Sequence, residues 1–160
     1  MHFVALLGYA DLVSPLLLSD KSVAYIKDDM FCIGYMNNEA IHIAASRGHV
    51  SVLKEIMLSC PDSWDMVGPD RNILHVAVEH QQQNVIEYIL EECPIIDALI
   101  NQKDWDGNTP LHLLSISNYS LPQLILHPMA DKGVSNGDNM TPLDLVTNNV
   151  DMPTATKVCA

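Results

Sequence analysis

Apolar residues along this chain fall into short blocks that recur with a nearly constant period, separated by polar stretches rich in Asp, Asn and Gly. Ile41-His42-Ile43-Ala44-Ala45 matches Leu74-His75-Val76-Ala77-Val78, then Leu111-His112-Leu113-Leu114-Ser115 and Leu143-Asp144-Leu145-Val146. The anchors stand at 42, 75, 112 and 144, so successive spacings are 33, 37 and 32 residues. An earlier, partial block places His2 forty residues before His42, with Gly8 matching Gly48. Self-similarity at that period marks a stack of small units, each unable to bury its apolar face alone.

Each block also reads as two helices in succession. Thr109 can cap the first helix and Pro110 fits its first turn, where a missing N–H costs nothing. Ala44 and Ala45 keep that helix thin, so neighbouring units can approach. Gly48-His49 then ends it with a residue that tolerates the left-handed conformation. The second helix carries Val52, Leu53, Ile56 and Met57, repeated one unit on as Val85, Ile86, Ile89 and Leu90. Both sets put one apolar stripe against the next unit. Lys103-Asp104-Trp105-Asp106-Gly107-Asn108 and Ser135-Asn136-Gly137-Asp138-Asn139 are dense in turn formers and predict projecting hairpin fingers. Pro15 falls inside the expected second helix of the first block, where it removes a hydrogen bond at an expected cost of about 3 kcal/mol.

With 160 residues, 48% of them apolar, the chain can build one domain with a continuous core. Charge narrows the choice of partner. The 20 acidic residues outnumber 8 basic ones, leaving a net charge of −12. Such a chain repels a nucleic-acid backbone and an anionic membrane surface, and favours a basic or polar protein partner. Cys32, Cys60, Cys93 and Cys159 form no CxxC pair and read as free thiols of a reducing compartment. The apolar start lacks a basic leader region and is broken by Gly8 and Asp11. No run approaches the roughly 18 apolar residues of a membrane span.

Asp106-Gly107-Asn108-Thr109-Pro110-Leu111-His112 resembles the ankyrin signature DGxTPLH, and Ala44-Ala45-Ser46-Arg47-Gly48-His49 resembles its AAxxGH half. The resemblance implies an all-α solenoid of stacked helix pairs with short β-hairpin fingers. A partial first unit covers 1–30, units start near 37, 70, 106 and 138 to carry the array to 147, and residues 148–160 form a frayed tail. By the same resemblance His42, His75 and His112 are hydrogen-bonding struts between units, while Gly48, Gly107, Thr109, Pro110, Thr141 and Pro142 hold turns and helix starts. The wording of Ile41 to His49, Arg71 to Ala77 and Lys103 to Leu113 is closer still to a plant branch whose ankyrin repeats precede a hydrophobic PGG membrane domain. That branch includes the accelerated cell death proteins. The implied function is a protein-binding scaffold in plant defence or stress signalling, cytoplasmic and without enzymatic activity. The alternative is the cytoplasmic repeat portion of a PGG-type signalling or channel-like protein at the plasma membrane.

Departures from the pattern matter as well. Glu39-Ala40 and Asn72-Ile73 stand where Thr-Pro is usual, Gln81 and Asn118 replace the turn glycine, and the first and fourth units are expected to be irregular. His80 and His127 lie outside the strut slot without a second ligand at helical spacing, and Asp104-Trp105-Asp106-Gly107 lacks the alternating ligands of a calcium loop. No Ser sits in a GxSxG elbow and no Cys has an activating partner, so neither metal, cofactor nor catalytic residue is expected. Glu87, Glu91, Glu92, Asp97, Asp104 and Asp106 read as solvated surface, or as an acidic face that steers a basic partner.

The candidate partner contacts are Asp104, Trp105 and Asp106 on a finger, with Ser46, Arg47, Glu79 and His80 late in the first helices on the groove side. Trp105 cannot be buried by its own hairpin, so it either anchors a partner or packs on an adjacent finger. Met1 stands where the Leu before the repeat His belongs, and Asn148-Asn149 and Pro153 leave no room for a last outer helix. A truncated array is therefore expected, frayed over 1–30 and 147–160, with self-association through Phe3, Val4, Leu6 and Leu7.

Overall fold

A computed structural model describes residues 1–26, 39–60, 71–117 and 119–150, with side chains to 148. Cys32, Asn118, Pro153, Cys159 and the unit starts near 37 and 70 lie outside the described residues. Within them the regular structure is entirely helical. In chain order the α-helices are α1 (His2–Leu7), α2 (Val13–Ser19), α3 (Ala40–Arg47), α4 (Val50–Ser59), α5 (Ile73–Glu79) and α6 (Gln83–Glu92). They continue as α7 (Ile96–Leu99), α8 (Pro110–Ile116), α9 (Pro122–Ile125) and α10 (Pro142–Val150).

Two parallel files of helices result. The inner file stacks α1, α3, α5, α8 and α10 in series, and the outer file stacks α2, α4, α6 and α9. The inner helices approach closely because Ala44, Ala45 and Ala77 lie fully buried between them. In the outer file Val52, Leu53 and Ile56 of α4, and Val85, Ile86 and Ile89 of α6, are fully buried, as their periodicity requires. Outer helix α9 has only four residues, yet Leu121 and Leu124 still seal the core there.

The turn between paired helices needs one residue at positive φ. Gly48 supplies it at φ 78°, and a Cβ there would meet the Gln82 side chain at 2.5 Å. One unit on, Gln81 takes the same conformation at φ 55°, which strains an L-residue. Side chains just beyond that turn tie the units together. Gln82 Nε2 donates to the Ser46 carbonyl at 2.9 Å, and Asn84 Nδ2 donates to the Gly48 carbonyl at 2.7 Å.

The first unit corrects one expectation. Helix α2 begins at Val13, after a 3-10 turn over Ala10–Leu12, so Pro15 is its third residue and not an interior one. A first-turn N–H has no helical acceptor, and the cost foreseen for Pro15 does not arise. The unit is fastened to the next by a His49 Nε2 contact with the Leu6 carbonyl at 3.1 Å and by Ser14 Oγ donating to Glu55 at 2.6 Å. Of its apolar start Val4 is buried and Leu6 half-buried, while Phe3 and Leu7 stay exposed.

Candidate functional site

The site is built from two stacked fingers and the inner-helix ends beside them. In the first finger the Asp104 N–H donates to the Asn108 carbonyl at 2.9 Å, closing a five-residue loop. Asp104 Oδ1 accepts the backbone N–H groups of Asp106 and Asn108 at 3.0 and 2.8 Å. The second finger repeats this with Asn136, which bonds to the Met140 carbonyl and accepts from the N–H groups of Asp138 and Met140. These are side-chain-braced turns of hairpin shape; no strand ladder extends from them among the described residues. Gly107, at φ 75°, lets the fingers nest, because a Cβ there would lie 2.6 Å from the Gly137 nitrogen. In their nested position the Gly137 N–H donates to the Asp106 carbonyl at 2.8 Å, and Asn136 Nδ2 donates to Asn108 Oδ1 at 2.9 Å.

Behind the fingers stand the imidazoles of α5 and α8. The Asn72 N–H donates to His75 Nδ1 at 3.3 Å, so the ring proton is on Nε2, which donates to the Asn108 carbonyl at 3.0 Å. His112 does the same between the Thr109 N–H, 3.1 Å away, and the Met140 carbonyl, also at 3.1 Å. Both rings are fully buried. Burial drives the His75 pKa down to about 4, against the opposite pulls of the Asn108 carbonyl and Asp104, and it lowers that of His112 too. Neutral imidazole is the form each site holds.

In the last unit the same slot is Asp144. Its carboxylate accepts the Thr141 N–H at 2.8 Å and the Thr141 hydroxyl at 2.7 Å, and these bonds hold its pKa below the usual carboxylate range. Pro142 opens α10 beside it, as Pro110 opens α8. His42 occupies the corresponding slot of α3 and is half-buried.

The expected contact residues fall into different environments. Ser46, Arg47 and His80 line one depression of about 380 Å³ together with Gln82, a residue the repeat pattern had not singled out. Ser46 is buried, its hydroxyl donating to the Ile43 carbonyl at 2.9 Å, whereas Arg47 is exposed. Glu79 is half-buried and accepts Arg71 at 2.7 Å. Asp104 is the main correction: only 7% exposed, it spends one oxygen on the finger turn and the other on Arg71 Nε at 3.2 Å. It braces the finger and offers no free carboxylate for a partner. Trp105, by contrast, is 72% exposed, and Asp106 beside it is exposed as well.

A second depression, about 520 Å³, opens between the fingers and α8 and α10, with Trp105, Asp106, Ile116, Asp138, Met140 and Leu145 in its lining. Ile116 holds in α8 the register that Glu79 holds in α5 and Ser46 in α3, so both depressions belong to the inner-helix side. Among the described residues no group of three or more His, Cys, Asp or Glu side chains converges to hold a metal ion. No described helix is long and apolar enough to cross a membrane. Cys60 and Cys93 end α4 and α6 as buried free thiols.

Compared with known proteins, the chain matches a family model described as ankyrin repeats (3 copies), over residues 1–104 and again over 41–136. The NF-kappa-B inhibitor cactus of Drosophila yakuba is 25% identical over 123 residues, covering 76% of this chain and 25% of that protein. Its Drosophila melanogaster counterpart is equally similar over 24% of its own length. Transcription factor MBP1 of Kluyveromyces lactis is 31% identical over 106 residues, 59% of this chain and 14% of that protein. The chain thus spans a quarter or less of the length of these relatives.

Proposed function

The chain belongs to the ankyrin repeat family, whose repeats bind protein partners, and we propose that it is an interaction scaffold gripping its partner with the finger pair and the inner-helix ends. One observation carries this reading. A rigid, doubly braced finger holds a large aromatic out of the core at 72% exposure, beside open depressions on the same side. Aromatic anchors on preorganised supports concentrate binding energy. With Asp104 occupied internally, the contact set becomes Trp105 and Asp106 on the finger, with Arg47 and His80 at the helix ends. The net charge of −12 selects a basic partner. No chemistry is assigned to the chain. Buried free thiols at Cys60 and Cys93 suit a reducing, cytoplasmic setting. One relative is itself named as an inhibitor, of NF-kappa-B, which favours a regulatory role through binding.

The motif wording from Arg71 to Ala77 and from Lys103 to Leu113 supports a second, narrower reading, in which the chain is the cytoplasmic repeat portion of a plant defence protein of the PGG type. Reading the transcript beyond Ala160 for several hydrophobic spans decides that point. For the scaffold itself the test is Trp105→Ala against a partner isolated with the intact chain. Affinity should fall by about 2 kcal/mol while the melting temperature stays unchanged. Unchanged affinity removes Trp105 from the binding surface.

A further inference from the structure

The depression beside Trp105 is lined by the apolar side chains of Ile116, Met140 and Leu145 together with the carboxylates of Asp106 and Asp138 and the amides of Asn108 and Asn136. We propose that it is a recognition pocket for a basic side chain, arginine above all, carried next to an apolar residue on an extended segment of the partner. The inference rests on the scaffold reading and specifies its ligand.

Charge decides what can cover this surface. Asp106 and Asp138 occupy the same register position on successive fingers, both are exposed, and neither forms an ion pair with a described cation. Arg71 is committed to Asp104 and Glu79. Lys103, the cation nearest in sequence, donates to the Ser135 carbonyl at 2.8 Å. An apolar partner pressed onto the pocket would strip water from two carboxylates and return nothing. An acidic partner would be repelled. A guanidinium satisfies all the groups present: its plane stacks on the indole, its N–H fork serves the carboxylates, and its methylene stem lies along Ile116 and Met140. The volume of about 520 Å³ is that of a side-chain or small-ligand site and too small for a packed helix.

The way the fingers are built makes the pocket stiff. At the place of Trp105 the second finger has Gly137, whose Cβ would sit 2.6 Å from the Asp106 carbonyl, so the second finger can nest only without a side chain there. Beside that bare position the indole stands 72% exposed, and Asp106 and Asp138 both line the depression.

The test selects from a displayed random twelve-residue peptide library on the intact chain. Selected peptides should be enriched in Arg or Lys beside an apolar residue, and should bind less tightly as salt rises. They should lose roughly ten-fold or more in affinity for the Asp106→Asn/Asp138→Asn double variant, and keep it for Asp11→Asn, an exposed carboxylate of the first unit outside both depressions. Both carboxylates are exposed, and far-UV dichroism and melting show whether the variants remain folded. Peptides without a basic preference, or with undiminished affinity for the double variant, overturn the pocket and leave the scaffold standing. Failure to enrich any peptide above an unrelated control protein overturns both.

Discussion

The unit around His75 and the unit around His112 perform the same task with opposite resources. The later one carries the family wording in full, from Asp106 to His112, yet its outer helix α9 has four residues. The earlier one lacks Thr-Pro, but has a ten-residue outer helix with Val85, Ile86 and Ile89 fully buried. In place of threonine it uses Asn72, whose Oδ1 accepts the N–H groups of Leu74 and His75 and whose Nδ2 donates to the Leu99 carbonyl and Gln102. The signature residues therefore specify the finger and the start of the inner helix. Cohesion of the stack also draws on outer-helix burial, which the signature does not describe.

If that division holds, Ile89→Ala should cost about 3 to 4 kcal/mol and Leu124→Ala in α9 about 2 kcal/mol, read as shifts in the urea midpoint. Equal losses would make the stunted helix as important as the long one. Acid should act next most strongly, through the earlier unit. His75 has a folded pKa of about 4 against an ordinary 6.5, so the unfolded chain takes up a proton that the folded chain refuses. Stability is then complete above pH 6.5 and falls as pH drops toward 4, by up to about 3 kcal/mol. His75→Gln should flatten that slope by close to one proton, and an unchanged slope would move the effect to other groups. Asn72→Ala should cost about 2 kcal/mol, more than Thr109→Ala at about 1 kcal/mol, because it also strands buried acceptors. Gln81→Gly should stabilise by roughly 0.5 to 1 kcal/mol by relieving the left-handed strain, measured as a small rise in melting temperature. A loss there would mean that the Gln81 side chain contributes more than its backbone costs.

Much of this architecture could be read from the chain because periodicity is a local property. The 33-residue spacing of His42 and His75, the alanines and the outer-helix stripes all recur where the stack needs them. Long-range pairings were not legible in that way. Arg71 and Asp104 are 33 residues apart and oppositely charged, a clue visible only once the repeats are superimposed, so Asp104 looked like a contact residue. Gln82 and Asn84 escaped notice because amides after a turn read as solvated, although they bond to carbonyls one unit earlier. Pro15 misled because the 3-10 turn that delays α2 has no sequence mark beyond Asp11. The sequence left Trp105 open between an exposed anchor and packing on an adjacent finger; the matching of Asp106 with Asp138 across two fingers required the nesting that Gly107 and Gly137 permit.

The histidine and asparagine links have a mechanical meaning. His75 reaches Asn108, Asn108 reaches Asn136, and His112 reaches Met140, each link crossing a single boundary between neighbouring units. Tension applied between the two ends is therefore carried in series, and no bond in this set spans two boundaries to share the load. The weakest boundary yields first while the others keep their shape, so the array should lengthen by discrete steps of one repeat and recoil by the same steps. A partner lying across several fingers would add the parallel connection that the links themselves lack, and would stiffen the protein as it binds.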